Sequence, residues 1–201
     1  MGGFVRIGLL AVFLLAPAAA QAHLVSTRFG DFYGGAMHPL TAMEHALPWL
    51  AIGILAGMQG PRTGRWILLA FPLGLFVGAA LAWFVPTEPI VSQANIASFA
   101  VVGLLVAAAW PLPAPVLIAA GLVFGLTHGY ENGTAMTPAT NHLLFILGVT
   151  TVGWVFIALT TALTTAFLQS NVGWRRIGVR AVGSWIAAVG IMLIGFRFVA
   201  R

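Results

Sequence analysis

The sequence predicts an all-α fold: a polytopic membrane helical bundle of about six transmembrane helices behind a cleavable signal peptide. Composition carries the first part of that expectation. Hydrophobic residues make up 60% of the 201 and charged residues only 6%, against about 25% charged in an average soluble domain. Nine cations, all of them Arg, and four acids cannot clothe a water-soluble domain of this length. Patterning carries the second part, because the apolar residues fall in runs of about 20, the length of helix that crosses a bilayer. The chain has no Cys, which excludes disulfide frameworks, Cys-based zinc sites, iron–sulfur clusters and thiol nucleophiles. The net charge of +5 reflects a shortage of acids. With no Lys/Arg-rich block present, nucleic acid is not an expected partner.

The N-terminus has the three parts of an export signal. Arg6 forms the basic region, Ile7 to Leu15 the apolar region, and Ala20-Gln21-Ala22 the small-residue cleavage pattern. Residues 1–22 are therefore expected to be removed, leaving 23–201 as a single transmembrane helical domain. Cleavage after Ala22 makes His23 the new N-terminus, where the α-amino group and the imidazole together chelate a metal through two nitrogens. Asp31 lies in the same outer segment, for which two alternatives stand equal: handing an ion inward with His23, or an ordinary solvated loop.

The expected spans are Met37–Met58, Trp66–Val85, Ile90–Ala109, Pro115–Tyr130, Ala139–Leu168 and Ala181–Ala200. Between them stand turn signals: Gly60-Pro61, Pro86 to Pro89, Pro111-Leu112-Pro113, Asn132-Gly133-Thr134, and the stretch from Gln169 to Arg180. An exported N-terminus sets the alternation. Arg62, Arg65, Arg175, Arg176 and Arg180 then fall on the cytoplasmic side and Arg28, Arg197 and Arg201 on the other, a bias in the sense of the positive-inside rule. The expected location is the bacterial inner membrane, multi-pass, with the mature N-terminus in the periplasm. Gly53/Gly57, Gly74/Gly78 and Gly121/Gly125 form G-x-x-x-G pairs, which allow close helix contact in lipid.

Ionisable groups within or at the edge of these spans carry the chemistry, since a charge in hydrocarbon costs on the order of 3 kcal/mol or more. They are His38, Glu44 and His45 in the first span, His128 and Glu131 at the end of the fourth, and His142 at the start of the fifth. His38 and His45 are two helical turns apart and share a face on a straight helix, with His45 about 10 Å deeper. His128 and Glu131, three apart, also share a face. All six fall in the same half of the membrane. Imidazole with carboxylate and no thiol suits a borderline divalent cation such as Ni²⁺, Co²⁺, Zn²⁺ or Cu²⁺. Met37, Met43 and Met136 lie near in sequence; ordinary packing is the expectation for them, with a softer ion as the alternative.

His38-Pro39-Leu40-Thr41-Ala42-Met43-Glu44-His45 resembles the H-P-L-x-G-x-D-H signature of the HupE/UreJ family of nickel and cobalt permeases, and His128-Gly129-Tyr130-Glu131 resembles its second motif, H-G-x-E. The signal peptide with a leading His, the length and the six spans extend the likeness over nearly the whole chain. The resemblance implies that His38, Glu44, His45, His128 and Glu131 bind the metal, with His142 matching a later family His. Glu44 stands where the family has Asp and Ala42 where it has Gly, which changes the size of the site.

The resemblance implies a secondary permease rather than an enzyme, taking up Ni²⁺ or Co²⁺, with Cu or Zn as other ions the ligand set accepts. Its partners are then the metal ion and membrane lipid, with a homo-oligomer or a membrane-complex partner left open. The chain has no P-loop. The alternative class is a metal- or haem-holding membrane enzyme or an accessory subunit of a membrane complex.

Overall fold

The computed structural model describes residues 30–85, 89–170 and 172–199. The signal segment, His23, Arg28, Glu88 and Arg201 lie outside the described residues. Among the described residues every regular element is helical: α1 (Gly30–Thr41), α2 (Met43–Met58), α3 (Pro61–Gly64), α4 (Ile67–Phe84), α5 (Pro89–Ala108), α6 (Ala114–Gly133), α7 (His142–Gln169) and α8 (Gly173–Val199). Asp31–Arg201 form one compact unit.

The first expected span is not one straight helix. It breaks at Ala42, whose backbone is extended (φ −108°, ψ 109°), and α1 and α2 meet there at 79°. Pro39 and Pro48 flank the break; a proline ring removes an N–H donor and crowds the carbonyl of the preceding turn, so continuous helix is disfavoured on both sides. The expectation that His38 and His45 share a face with 10 Å between them is corrected accordingly.

Four helical stretches are long and apolar enough to cross a membrane: Pro61–Phe84, Pro89–Ala108, His142–Gln169 and Gly173–Arg197; the bent α1–α2 pair makes a fifth. The fourth expected span, α6, does not meet that standard, because Thr127, His128, Glu131 and Asn132 crowd its last two turns. Two of these are turned inward, with His128 and Asn132 fully buried. Helix also runs further than turn signals suggest. Asn132 and Gly133 stay helical in α6 because Gly133 packs directly on Ala79 and Ala82 of α4, and Asn132 donates from Nδ2 to the His128 carbonyl (2.8 Å). Likewise α8 begins at Gly173, so Arg175, Arg176 and Arg180 belong to a helix and not to a connection.

Small residues set which helices touch. The tightest pair is α4 with α6, followed by α5 with α8 and α2 with α7. Gly74 and Gly78 on α4 interleave with Gly125 and Gly129 on α6, each seated on backbone atoms of the opposite helix. Gly53 and Gly57 of α2 lie against Thr160, Thr161 and Thr164 of α7, where Thr161 Oγ1 donates to the Gly53 carbonyl (3.2 Å) and Thr165 Oγ1 to the Gly57 carbonyl (3.3 Å). In lipid, such close packing and interhelical hydrogen bonding replace the hydrophobic drive of soluble cores. Large apolar side chains such as Phe84, Ile177 and Trp185 point outward, as lipid contact requires. At the bundle end carrying Gln59 and Gln169, a cavity of about 620 Å³ opens, with Arg176 and Arg180 in its lining.

Candidate metal centre

The bend at Ala42 shapes the site. Folding α1 back over the start of α2 brings the His38 ring to 5.7 Å from that of His45, centroid to centroid. On its other side, His45 meets the His128 ring of α6 edge-on at 6.2 Å. Three imidazoles from three helices thus form a row with His45 in the middle. His45 is 3% exposed and His128 0%, while His38 is half-buried at the rim. Below the row the bundle closes. Trp49, one turn past His45, meets Phe71 edge-on at 5.6 Å, and Trp49, Phe71 and Leu75 have no exposed surface.

α5 supplies a polar wall to which sequence reasoning assigned no role. Ser98 Oγ lies 3.0 Å from His128 Nε2 and donates to the Asn95 carbonyl at 2.5 Å. Asn95 Nδ2 reaches the Thr127 carbonyl (3.0 Å) and also the Glu131 carboxylate. The signal was visible in sequence: Ser92, Gln93, Asn95 and Ser98 interrupt an otherwise apolar span. They carry no charge, so a search for ionisable groups passes over them.

Several buried polar atoms here have no hydrogen-bond partner: Nδ1 of His45, Nδ1 of His128, Oδ1 of Asn95 and Oδ1 of Asn132. Buried polar atoms are ordinarily satisfied, and each that is not calls for a functional or structural reason. A cation bound to them would supply one. Among the described residues, no three His, Asp or Glu side chains already converge as a metal shell.

The remaining expected ligands are placed differently. Glu131 is half-buried and held by Asn95. Glu44 lies in the first turn of α2 with its side chain exposed. His142 starts α7 and stacks on Trp83 at 3.6 Å, with Nε2 3.3 Å from the Thr137 carbonyl; the structure does not bring it into the row. Asn141 caps α7, accepting from the Leu144 amide (3.1 Å), and Asp31 accepts from the Asn141 amide (2.8 Å). Asp31 therefore ties α1 to the start of α7. Met37 and Met43 are exposed, and Met136 packs against the apolar core.

Fold and site together define a polytopic helical membrane protein with a buried imidazole row at one end of its bundle. The sequence profile of the HupE / UreJ protein family matches residues 10–193, and the chain belongs to that family. It is similar to Protein HupE of Rhizobium leguminosarum bv. viciae, with 28% identity over 135 residues, covering 67% of this chain and 70% of that protein. No solved structure matches it.

Proposed function

We propose that the chain is a secondary permease that carries a divalent transition-metal ion, Ni²⁺ or Co²⁺, inward across the bacterial inner membrane, entering from the periplasmic face by the imidazole row. The observation behind this reading is the meeting of His38, His45 and His128 from separate helices. Metal–nitrogen bonds of about 2.0–2.1 Å, with each ring centroid about 1.1 Å behind its nitrogen, put two imidazoles on one ion at centroid separations of roughly 4.5–6.5 Å. The 5.7 Å and 6.2 Å spacings both fall in that window. These spacings suit an ion sitting between His38 and His45, and next between His45 and His128. His45, common to both stations, hands the ion inward.

Glu131 offsets charge at the inner station, and neutral imidazole suits borderline ions over Mg²⁺ or Ca²⁺. The Trp49–Phe71 layer below would have to part for release.

The test is uptake of radiolabelled Ni²⁺ and Co²⁺ by cells with and without the protein. Accumulation that is lost in His45→Ala and His128→Ala, with membrane levels unchanged, supports transport. Stoichiometric bound metal or haem in the purified protein without uptake would instead favour a metal- or haem-holding subunit.

A further inference from the structure

The hydroxyl of Ser98 decides which nitrogen of His128 is free. A serine has one hydroxyl proton and two lone pairs. Ser98 Oγ lies 2.5 Å from the Asn95 carbonyl oxygen, and two oxygens that close repel unless a proton stands between them. The single proton of Ser98 is therefore committed to Asn95. At 3.0 Å from His128 Nε2, Ser98 can then only accept, so Nε2 carries the hydrogen. In a neutral imidazole the other nitrogen holds the lone pair. That atom, Nδ1 of His128, is fully buried and has no hydrogen-bond partner.

We propose that Ser98 is a positioning residue that fixes His128 as the Nε2–H tautomer and so leaves Nδ1 as the lone-pair atom offered to the ion. The proposal rests on the transport reading above and adds to it a residue on α5, a helix to which that reading assigns no ligand. Asn95 belongs to the same device. Its backbone carbonyl accepts the hydrogen bond from the Ser98 hydroxyl, and its side-chain amide donates to the Thr127 carbonyl and the Glu131 carboxylate. One turn of α5 thereby orients both the imidazole and the carboxylate of the α6 pair. Partners of this kind typically change metal affinity 10–100-fold when removed.

The experiment uses the full-length protein purified with ¹⁵N-labelled histidine. Long-range ¹H–¹⁵N correlation spectra give the protonated nitrogen of each ring, with the His128 signals assigned by their absence in His128→Ala. Titration with Ni²⁺ alone, and with Co²⁺ alone, gives the affinity. The expected result is Nε2-protonated His128 in the wild type and in Ser98→Thr, which keeps a hydroxyl. In Ser98→Ala the tautomer preference is lost and Ni²⁺ affinity falls at least about tenfold. Nδ1-protonated His128 in the wild type overturns the proposal and needs no variant to fold. So does a Ser98→Ala protein with wild-type tautomer and affinity; either result leaves the transport reading standing. A wild-type protein that binds neither ion overturns both.

Discussion

Replacing Gly129 by Ala tests how closely α6 must approach α4 for the imidazole row to exist. A Cβ at this position would stand 2.7 Å from Leu75 Cα and 2.8 Å from Leu75 C, and closer still to the Leu75 carbonyl oxygen. Ordinary contact begins at 3.4 Å, so relief requires the helices to separate by about 0.7 Å or more. These neighbours are backbone atoms and cannot rotate away. Forcing an extra methyl into such packing costs about 1–3 kcal/mol, or roughly 2–4 °C in Tm per kcal/mol for a chain of this size. The displaced residue adjoins His128, so the ring shifts by a comparable distance from His45, against a tolerance of about 0.2 Å in metal–ligand geometry. Thermal unfolding in detergent and Ni²⁺ titration of the same sample should both report the loss. Gly178→Ala is the control. Nothing lies within 4 Å of a Cβ there, and Gly→Ala within a helix stabilises by about 0.4–1 kcal/mol. A Gly129→Ala protein with wild-type Tm and Ni²⁺ affinity would refute the backbone contact and the coupling drawn from it.

Two further outcomes follow from the same geometry. Thr161→Val keeps volume but removes the hydrogen bond to the Gly53 carbonyl; a loss of about 0.6–1.7 kcal/mol is expected by chemical or thermal unfolding, and an unchanged midpoint counts against the α2–α7 contact. His142→Ala removes a ring stacked on Trp83 and outside the row, so Ni²⁺ affinity should stay within about twofold, a change of roughly 0.4 kcal/mol. A loss matching that of His128→Ala would place His142 among the ligands instead.

Much of the layout was readable from the residues in order. The last five expected spans each overlap an observed helix, and of the expected ligands His38, His45 and His128 come together. The likeness of His38–His45 and His128–Glu131 to family motifs pointed to the family the chain belongs to. Errors concentrate where packing overrides local signals: Asn132-Gly133 stays helical at the end of α6, packed against α4, and the stretch before Arg180 is mostly α8. The Ala42 break was hidden because Pro39 and Pro48 sit in a run whose hydropathy reads as one continuous span.

Apolar run length and scarce charge by themselves determined a helical membrane protein and singled out the few ionisable residues within its spans, because hydrocarbon admits only backbone that is bonded within the segment and few unpaired charges. Helical phase places a side chain around its own axis but does not say which helix lies opposite. In a bilayer, core and lipid faces are equally apolar, so hydropathy does not separate them either. Tertiary contacts alone therefore decided that His45 turns inward and Glu44 outward, that His142 rests on Trp83, and that Ser98 of α5 backs His128. Which helices meet was set in part by close glycine approaches, as where Gly74 and Gly78 of α4 seat against Gly125 and Gly129 of α6.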